Sequence, residues 1–99
     1  MKLWLDDIRP MPVNFDVHVR NAKDAISLIN VGIVDYISFD HDLGEGLSGN
    51  AVAKMIEFGY SFNFIDKYIA WDIHSKNPVG SKNIFDTMTS ADKIWMKRF

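Results

Sequence analysis

The stretch YISFDHDLGEG, residues 36–46, runs from an apolar segment into Asp40, His41 and Asp42 and then into glycines. Residues 35–40 are apolar on both faces, which indicates a central strand of a sheet. Two acids and an imidazole therefore stand where a buried strand ends. The same transition occurs in two other stretches, KLWLDDIRP at residues 2–10 and YIAWDIHSKNPVG at residues 68–80.

The composition predicts one globular domain over residues 1–99, because 47% of the residues are hydrophobic and 13% are aromatic. The chain has no cysteine, which excludes disulfides and thiolate metal sites and is compatible with a reducing cytosol. A formal net charge of −2 disfavours binding of an extended duplex nucleic acid through its phosphates. The apolar runs are too short to span a membrane, and we expect a cytoplasmic protein.

Four segments have the composition of strands, and the second alternates apolar and polar residues as a half-exposed edge strand does. The predicted strands are residues 2–6, 16–20, 35–40 and 67–75. Between the first two lies Pro10-Met11-Pro12, which cannot be helix interior because proline removes a donor and restricts the preceding residue.

Three helices are predicted from their caps. The first begins after Asn21 and ends at Gly32, and the second begins after Ser48 or Asn50 and stops at Gly59. The third begins at Asn77-Pro78. The tail KIWMKRF, residues 93–99, is compatible with a last strand or a helix end, and it could contact a nucleotide or simply pack.

Strands separated by helices are joined by right-handed crossovers, which gives a mostly parallel sheet. The carboxyl ends of parallel strands open onto one edge, where ligands bind. We therefore expect the polar residues after three strands to share one crevice: Asp6, Asp7, Asp40, His41, Asp42, His74 and Ser75.

The acids in this set suggest a metal site. Asp6, Asp7 and Asp40 are hard oxygen ligands suited to Mg²⁺ or Mn²⁺, and they would repel one another without a cation, protonated histidines or raised carboxyl pKa values. The alternative is that each aspartate only caps the turn that follows its strand.

The histidines are the groups best able to transfer protons near neutral pH. We expect His41 and His74 to act as an acid–base pair, with Asp42 orienting one of them and Asp40 also taking part in catalysis. His74 is expected to face solvent at its strand end. His18, which lies inside a strand, is interpreted as structural.

The run SKNPVG, residues 75–80, could hold a phosphate, because a hydroxyl and the amides of a helix start point to the same edge. Ser75, Asn77 and Gly80 are its candidate substrate-binding residues, and ordinary helix capping is the alternative. Arg9 could bind a phosphate or pair with an acid.

Four of these motifs, LWLDDIRP, ISFDHDLG, the SG at residues 48–49 and IHSKNPVG, together resemble the signature of the cyclic-phosphate processing receiver domains, a divergent branch of the response-regulator receivers. The resemblance implies an α/β, flavodoxin-like three-layer sandwich with a mostly parallel sheet of four or five strands. The first helix would be reduced and the last one missing. It also implies Mg²⁺ held by the acidic triad, with Asp40 as the phosphorylated aspartate and Ser75 as the hydroxyl of ordinary receivers; Lys97 is a distant candidate for their lysine.

Three functions follow from this resemblance. The first is a phosphoesterase that acts on cyclic phosphates, either 2′,3′-cyclic RNA ends or cyclic nucleotides, so that its partner is a small cyclic nucleotide or an RNA 3′ end. The alternatives are a stand-alone receiver phosphorylated on Asp40 and a non-catalytic protein that binds a cyclic nucleotide. The oligomeric state and the identity of the substrate are open.

Overall fold

The computed structural model describes residues 1–44 and 46–99 and contains a four-stranded sheet with three helices. The strands are β1 (Lys2–Leu5), β2 (Val17–Val19), β3 (Tyr36–Phe39) and β4 (Ala70–Ile73). The helices are α1 (Ala22–Val31), α2 (Gly49–Ser61) and α3 (Pro78–Met96). All neighbouring strands are parallel, in the order β2-β1-β3-β4. The protein therefore has the expected α/β receiver-like architecture.

The core lies on one face of the sheet. Leu3, Leu5, Ile37 and Phe39 are fully buried there and form one cluster with residues of all three helices. Consecutive strand residues point to opposite faces, so Trp4 and Ser38 lie on the other side. The non-helical connection of residues 6–16 packs on that side, where the Phe15 ring meets the Trp4 ring edge to face with centroids 5.2 Å apart.

This second face shows how the third layer of a receiver is reduced. Pro10 and Pro12 prevent a helix between β1 and β2, as predicted from the sequence. Because the connection from β1 to β2 runs in the opposite direction from the later crossovers, a helix there would have covered this face. His18 lies on the edge strand β2, where its Nε2 is 2.8 Å from the backbone oxygen of Asp6, in agreement with a structural role.

The helix ends largely follow their caps. Asn21 accepts a hydrogen bond from the amide of Asp24, and Gly32 ends α1 with φ at 89°. The predicted stop at Gly59 is wrong: α2 continues to Ser61, and Gly59 lies so close to Ile65 that a Cβ would be 2.4 Å from its Cδ1. Close packing, and not termination, requires this glycine.

The last helix includes most of the tail, for which the sequence left a strand and a helix end open. Asn77 accepts a hydrogen bond from the amide of Gly80 and Pro78 occupies the first turn, as expected. The residues KIWMKRF continue the helix to Met96 and do not form a strand. No helix among the described residues is long and apolar enough to cross a membrane.

Candidate functional site

The site lies at the carboxyl edge of the sheet, where the parallel ladder extends one residue beyond three strands. The amide of Asp6 donates to the Val19 oxygen, that of Asp40 to the Leu5 oxygen and that of His74 to the Phe39 oxygen, at 3.0, 2.9 and 2.9 Å. Asp6, Asp40 and His74 are therefore fixed in one row by the backbone. A cleft of about 540 Å³ opens at this edge. It is lined by Asp6, Asp7, Ile8, Arg9, Asp40, Asp42, Gly44, Ser75, Lys76 and Asn77.

The acidic wall of the cleft is compact. One carboxylate oxygen from each of Asp6, Asp7 and Asp40 lies within 4.8 Å of the other two. Asp6 is 1% exposed and Asp40 is 7% exposed. Gly49 allows the start of α2 to approach this wall, because a Cβ there would lie 1.9 Å from the backbone oxygen of Asp40.

Asp6 and Asp40 have pKa values shifted in opposite directions. Burial and the neighbouring charge of Asp6 raise the pKa of Asp40 above its ordinary value. Burial opposes ionisation of Asp6 as well, but hydrogen bonds from the Arg9 and Ile8 amides and from His74 outweigh it and lower the pKa of Asp6. Asp6 therefore ionises more readily than Asp40, whose charged form its surroundings disfavour.

This donor set fits a hard divalent cation. Three converging carboxylates offer the oxygen ligands that Mg²⁺ and Mn²⁺ prefer. Arg9 does not neutralise the wall fully, since its Nη1 is 3.9 Å from Oδ2 of Asp6 and donates to the backbone oxygen of His74 at 2.6 Å. Among the described residues this acidic group contains no histidine, which favours Mg²⁺ or Mn²⁺ over softer metals.

His74 is held behind the acidic wall. Its Nε2 is 2.9 Å from Oδ2 of Asp6, and its Nδ1 is 2.8 Å from Oγ of Ser38. The ring stacks on Trp4, and the side chain is only 16% exposed. The expectation that His74 faces solvent is thus wrong, because the indole ring of Trp4 covers the imidazole. Both ring nitrogens are engaged within the protein.

His41 lies beside Asp42. Its Nδ1 is 2.9 Å from Oδ1 of Asp42, and its ring packs so tightly on Gly80 that a Cβ there would lie 2.3 Å from Cγ of His41. The hydrogen bond from His41, followed by one from Asn77, lowers the pKa of Asp42. Asp42 lines the cleft, whereas neither His41 nor His74 is among the lining residues.

A second part of the cleft wall is formed by the residues that follow β4. Ser75 and Asn77 line it, and so does Lys76, whose side chain is exposed. The Ser75 Oγ accepts a hydrogen bond from the Asn77 amide at 3.1 Å. The buried amide of Gly80 donates to Oδ1 of Asn77, so Gly80 supports the wall from behind.

Sequence reasoning missed three residues of this site. Ser38 is a single hydroxyl inside an apolar strand and is 1% exposed, which was a signal that it contacts another polar group. Trp4 was assigned to a strand without a role. Lys76 lies between Ser75 and Asn77, and its positive charge beside a predicted phosphate site was the signal that could have identified it.

The parallel sheet with acids at its carboxyl edge defines a receiver-like domain. Residues 1–90 match the family described as the cyclic-phosphate processing receiver domain. The chain belongs to this family, as the four sequence motifs indicated. No curated protein and no solved structure gives a significant match.

Proposed function

We propose that this protein opens cyclic phosphates, either 2′,3′-cyclic RNA ends or cyclic nucleotides, in the cleft at the carboxyl edge of the sheet. One observation carries the proposal: the carboxylates of Asp6, Asp7 and Asp40 converge within 4.8 Å in a cleft that Ser75 and Lys76 also line. Such a cleft suits a substrate that is anionic and binds together with a cation. The family supplies the substrate class, since its members are associated with cyclic-phosphate processing.

Asp6, Asp7 and Asp40 are the residues that would hold Mg²⁺ or Mn²⁺. When bound, such a cation polarises a phosphoryl oxygen and lowers the pKa of a water molecule. The protein's part is to keep the three carboxylates in place, which the backbone hydrogen bonds of Asp6 and Asp40 support. Relief of the repulsion between these acids favours cation binding.

The part of the cleft wall that follows β4 would hold the phosphate. Lys76 brings a positive charge and Ser75 a hydroxyl, and Arg9 adds a guanidinium at the rim. Asn77 shapes the turn between these groups and α3. These positive charges and the hydroxyl would stabilise the negative charge that develops as the cyclic phosphate opens. Such electrostatic stabilisation is the largest single contribution to the rate that we expect.

His41 is the proposed proton-transfer group. In the reaction water adds to phosphorus, one ester P–O bond breaks and the leaving oxygen takes up a proton. Asp42 engages Nδ1 of His41 and orients the ring, which leaves Nε2 as the nitrogen that exchanges a proton. His74 was predicted as the second proton-transfer group, but its hydrogen bonds to Ser38 and Asp6 favour a different role.

The experiment is a panel of cyclic mononucleotides, cyclic dinucleotides and cyclic-ended RNA, incubated with Mg²⁺ or Mn²⁺ and analysed by chromatography. We expect a linear phosphomonoester or an opened dinucleotide from at least one substrate, and loss of turnover in Asp40→Asn. Asp86→Asn is the matched control, because Asp86 is an exposed acid on α3 paired with Lys82. Turnover that Asp40→Asn leaves at the parent rate would contradict the proposal.

A second candidate function is a stand-alone receiver phosphorylated on Asp40. It is favoured by the position of Asp40 after β3, in the same cleft as Ser75 and Lys76. Acetyl phosphate would then add a phosphoryl group to the parent protein and not to Asp40→Asn, as read by intact mass. Tight binding of a cyclic nucleotide without turnover or phosphorylation would support a purely binding protein.

A further inference from the structure

A chain of hydrogen bonds runs from the sheet into the acidic wall. Oγ of Ser38 lies 2.8 Å from Nδ1 of His74, and Nε2 of His74 lies 2.9 Å from Oδ2 of Asp6. Ser38 comes from β3, Asp6 follows β1 and His74 follows β4, so the chain joins three strands. A nucleophilic serine is excluded here, because Ser38 is 1% exposed and lies away from the cleft.

This series of hydrogen bonds fixes the orientation of the His74 imidazole. An ionised carboxylate only accepts hydrogen bonds, so Nε2 of His74 must donate to Asp6. In the neutral ring Nδ1 is then the acceptor and the Ser38 hydroxyl donates to it. Stacking on Trp4, with ring centroids 3.7 Å apart and an interplanar angle of 8°, prevents the imidazole from tilting.

The same contacts restrict the carboxylate of Asp6 from both sides. Its Oδ1 accepts the amides of Ile8 and Arg9 at 2.8 and 2.7 Å, while Oδ2 accepts from His74. With both oxygens engaged the carboxylate cannot rotate about its Cβ–Cγ bond without breaking hydrogen bonds. Oδ1 already accepts two bonds, whereas Oδ2 still has a lone pair for a further partner.

We infer that Ser38 and His74 are positioning residues that hold the Asp6 carboxylate in the orientation needed for a divalent cation at the acidic wall. This inference rests on the proposed function for the identity of the ligand, and it gives His74 a role distinct from proton transfer. Partners that orient a metal ligand affect metal affinity by about 10-fold to 100-fold in other proteins. Trp4 supports the arrangement by covering the ring.

The first measurement is the affinity for Mn²⁺, followed by electron paramagnetic resonance. The double variant Ser38→Ala/His74→Phe keeps an aromatic ring on Trp4 and leaves no buried group unpaired at Ser38, so the fold should persist. We expect its Mn²⁺ dissociation constant to rise about 10-fold to 100-fold. His74→Gln, which can still donate to Asp6, should recover part of the affinity, and it also serves if the double variant does not fold.

Tyr60→Phe is the control for a general loss of stability, because it removes the buried acceptor of the Ile69 amide far from the cleft. Its Mn²⁺ affinity should equal that of the parent. The inference would be overturned if the folded double variant bound Mn²⁺ as tightly as the parent. It would also be overturned if folded His74→Gln bound Mn²⁺ no more tightly than His74→Ala.

A second measurement needs no metal. Hydrogen exchange of the Ile8 and Arg9 amides, which donate to Asp6, should be faster in the double variant by about tenfold, whereas Tyr60→Phe should leave them unchanged. If the parent does not bind Mn²⁺, the proposed function fails, yet faster exchange at these two amides still supports the positioning of Asp6. Unchanged exchange in the double variant would overturn the positioning role.

Discussion

The imidazole of His74 lies parallel to the indole of Trp4, with ring centroids 3.7 Å apart. These residues belong to β1 and to the end of β4, which are separated in the sheet by β3. Arg9 closes the arrangement, since its backbone oxygen accepts the Trp4 indole and its guanidinium donates to the His74 backbone oxygen. On this face of the sheet, Trp4, His74 and Arg9 thus pack together and support the acidic wall.

His74→Ala should lower the free energy of unfolding by about 2–4 kcal/mol, because it removes the stack on Trp4 and leaves the buried Ser38 hydroxyl without its partner. Urea denaturation measures the loss. Lys82→Ala, an exposed position on α3, should stay within about 0.5 kcal/mol of the parent. A loss for His74→Ala as small as that of Lys82→Ala would mean that the contacts around His74 do not stabilise the fold.

Asp40→Asn should raise the melting temperature at neutral pH without metal. The folded protein raises the pKa of Asp40, so its ionised form opposes folding, and asparagine removes that charge. A gain of about 1 kcal/mol corresponds to about 4–8 °C for a domain of this size. Calorimetry at neutral pH checks the sign, and a lower melting temperature for Asp40→Asn would contradict it.

The advantage of Asp40→Asn should shrink as the pH falls. A raised folded-state pKa gives a stability contribution that is complete below the unfolded value of 3.8 and is lost as the pH rises through the folded value. As the pH falls towards 3.8, the folded parent takes up a proton at Asp40 more readily than the unfolded chain does, so it comes to resemble the variant. The difference in melting temperature between the two proteins, followed from about pH 7 to about pH 4, should therefore decrease, and an increase would contradict the assignment.

Mg²⁺ or Mn²⁺ should stabilise the parent protein. A cation that binds only the folded state adds about 2.7 kcal/mol at a concentration of 100 times its dissociation constant. Asp7→Asn removes one of the three converging carboxylates and should reduce the shift in melting temperature, whereas Asp86→Asn should preserve it. Equal shifts in both variants would indicate that the cation binds elsewhere.

Gly80→Ala should slow turnover through His41. Its Cβ would lie within 2.7 Å of three ring atoms of His41, so the ring must leave its place beside Asp42. We expect a loss approaching that of His41→Ala, about 10²-fold to 10⁴-fold for a proton-transfer group. In the His41→Ala background the clash disappears, and alanine should then stabilise α3 by up to about 1 kcal/mol. Identical effects of Gly80→Ala in both backgrounds would contradict the contact.

Local chemistry made the element types predictable. Each of three signals indicates one type of local structure: the proline pair between β1 and β2, the Asn21 and Asn77 caps, and the largely apolar run before Asp40. Gly59 does not, because a glycine ends a helix or permits close packing, and only the position of Ile65 decides between them. The same holds for the tail, where helix and strand patterns are equally compatible with KIWMKRF.

The acidic wall was predictable because parallel strands bring their carboxyl ends together whatever the side chains are. The direction of each side chain at that edge was not. His74 and Asp40 both follow a strand, yet His74 turns onto Trp4 while Asp40 lines the cleft. Both residues come directly after a pair of strand residues that are in register, so the pleat does not distinguish them. The difference depends on neighbouring side chains such as Trp4, whose position only the assembled fold defines.

The most direct measurement of the central claim is phosphorus NMR of a 2′,3′-cyclic nucleotide, cyclic-ended RNA and cyclic dinucleotides incubated with the parent protein and Mg²⁺ or Mn²⁺. We expect the signal of at least one cyclic phosphate to be replaced by that of its opened product. Conversion should stop when a chelator removes the metal, and it should be lost in Asp40→Asn. Metal-saturated, folded parent protein that leaves every one of these substrates intact would contradict the account.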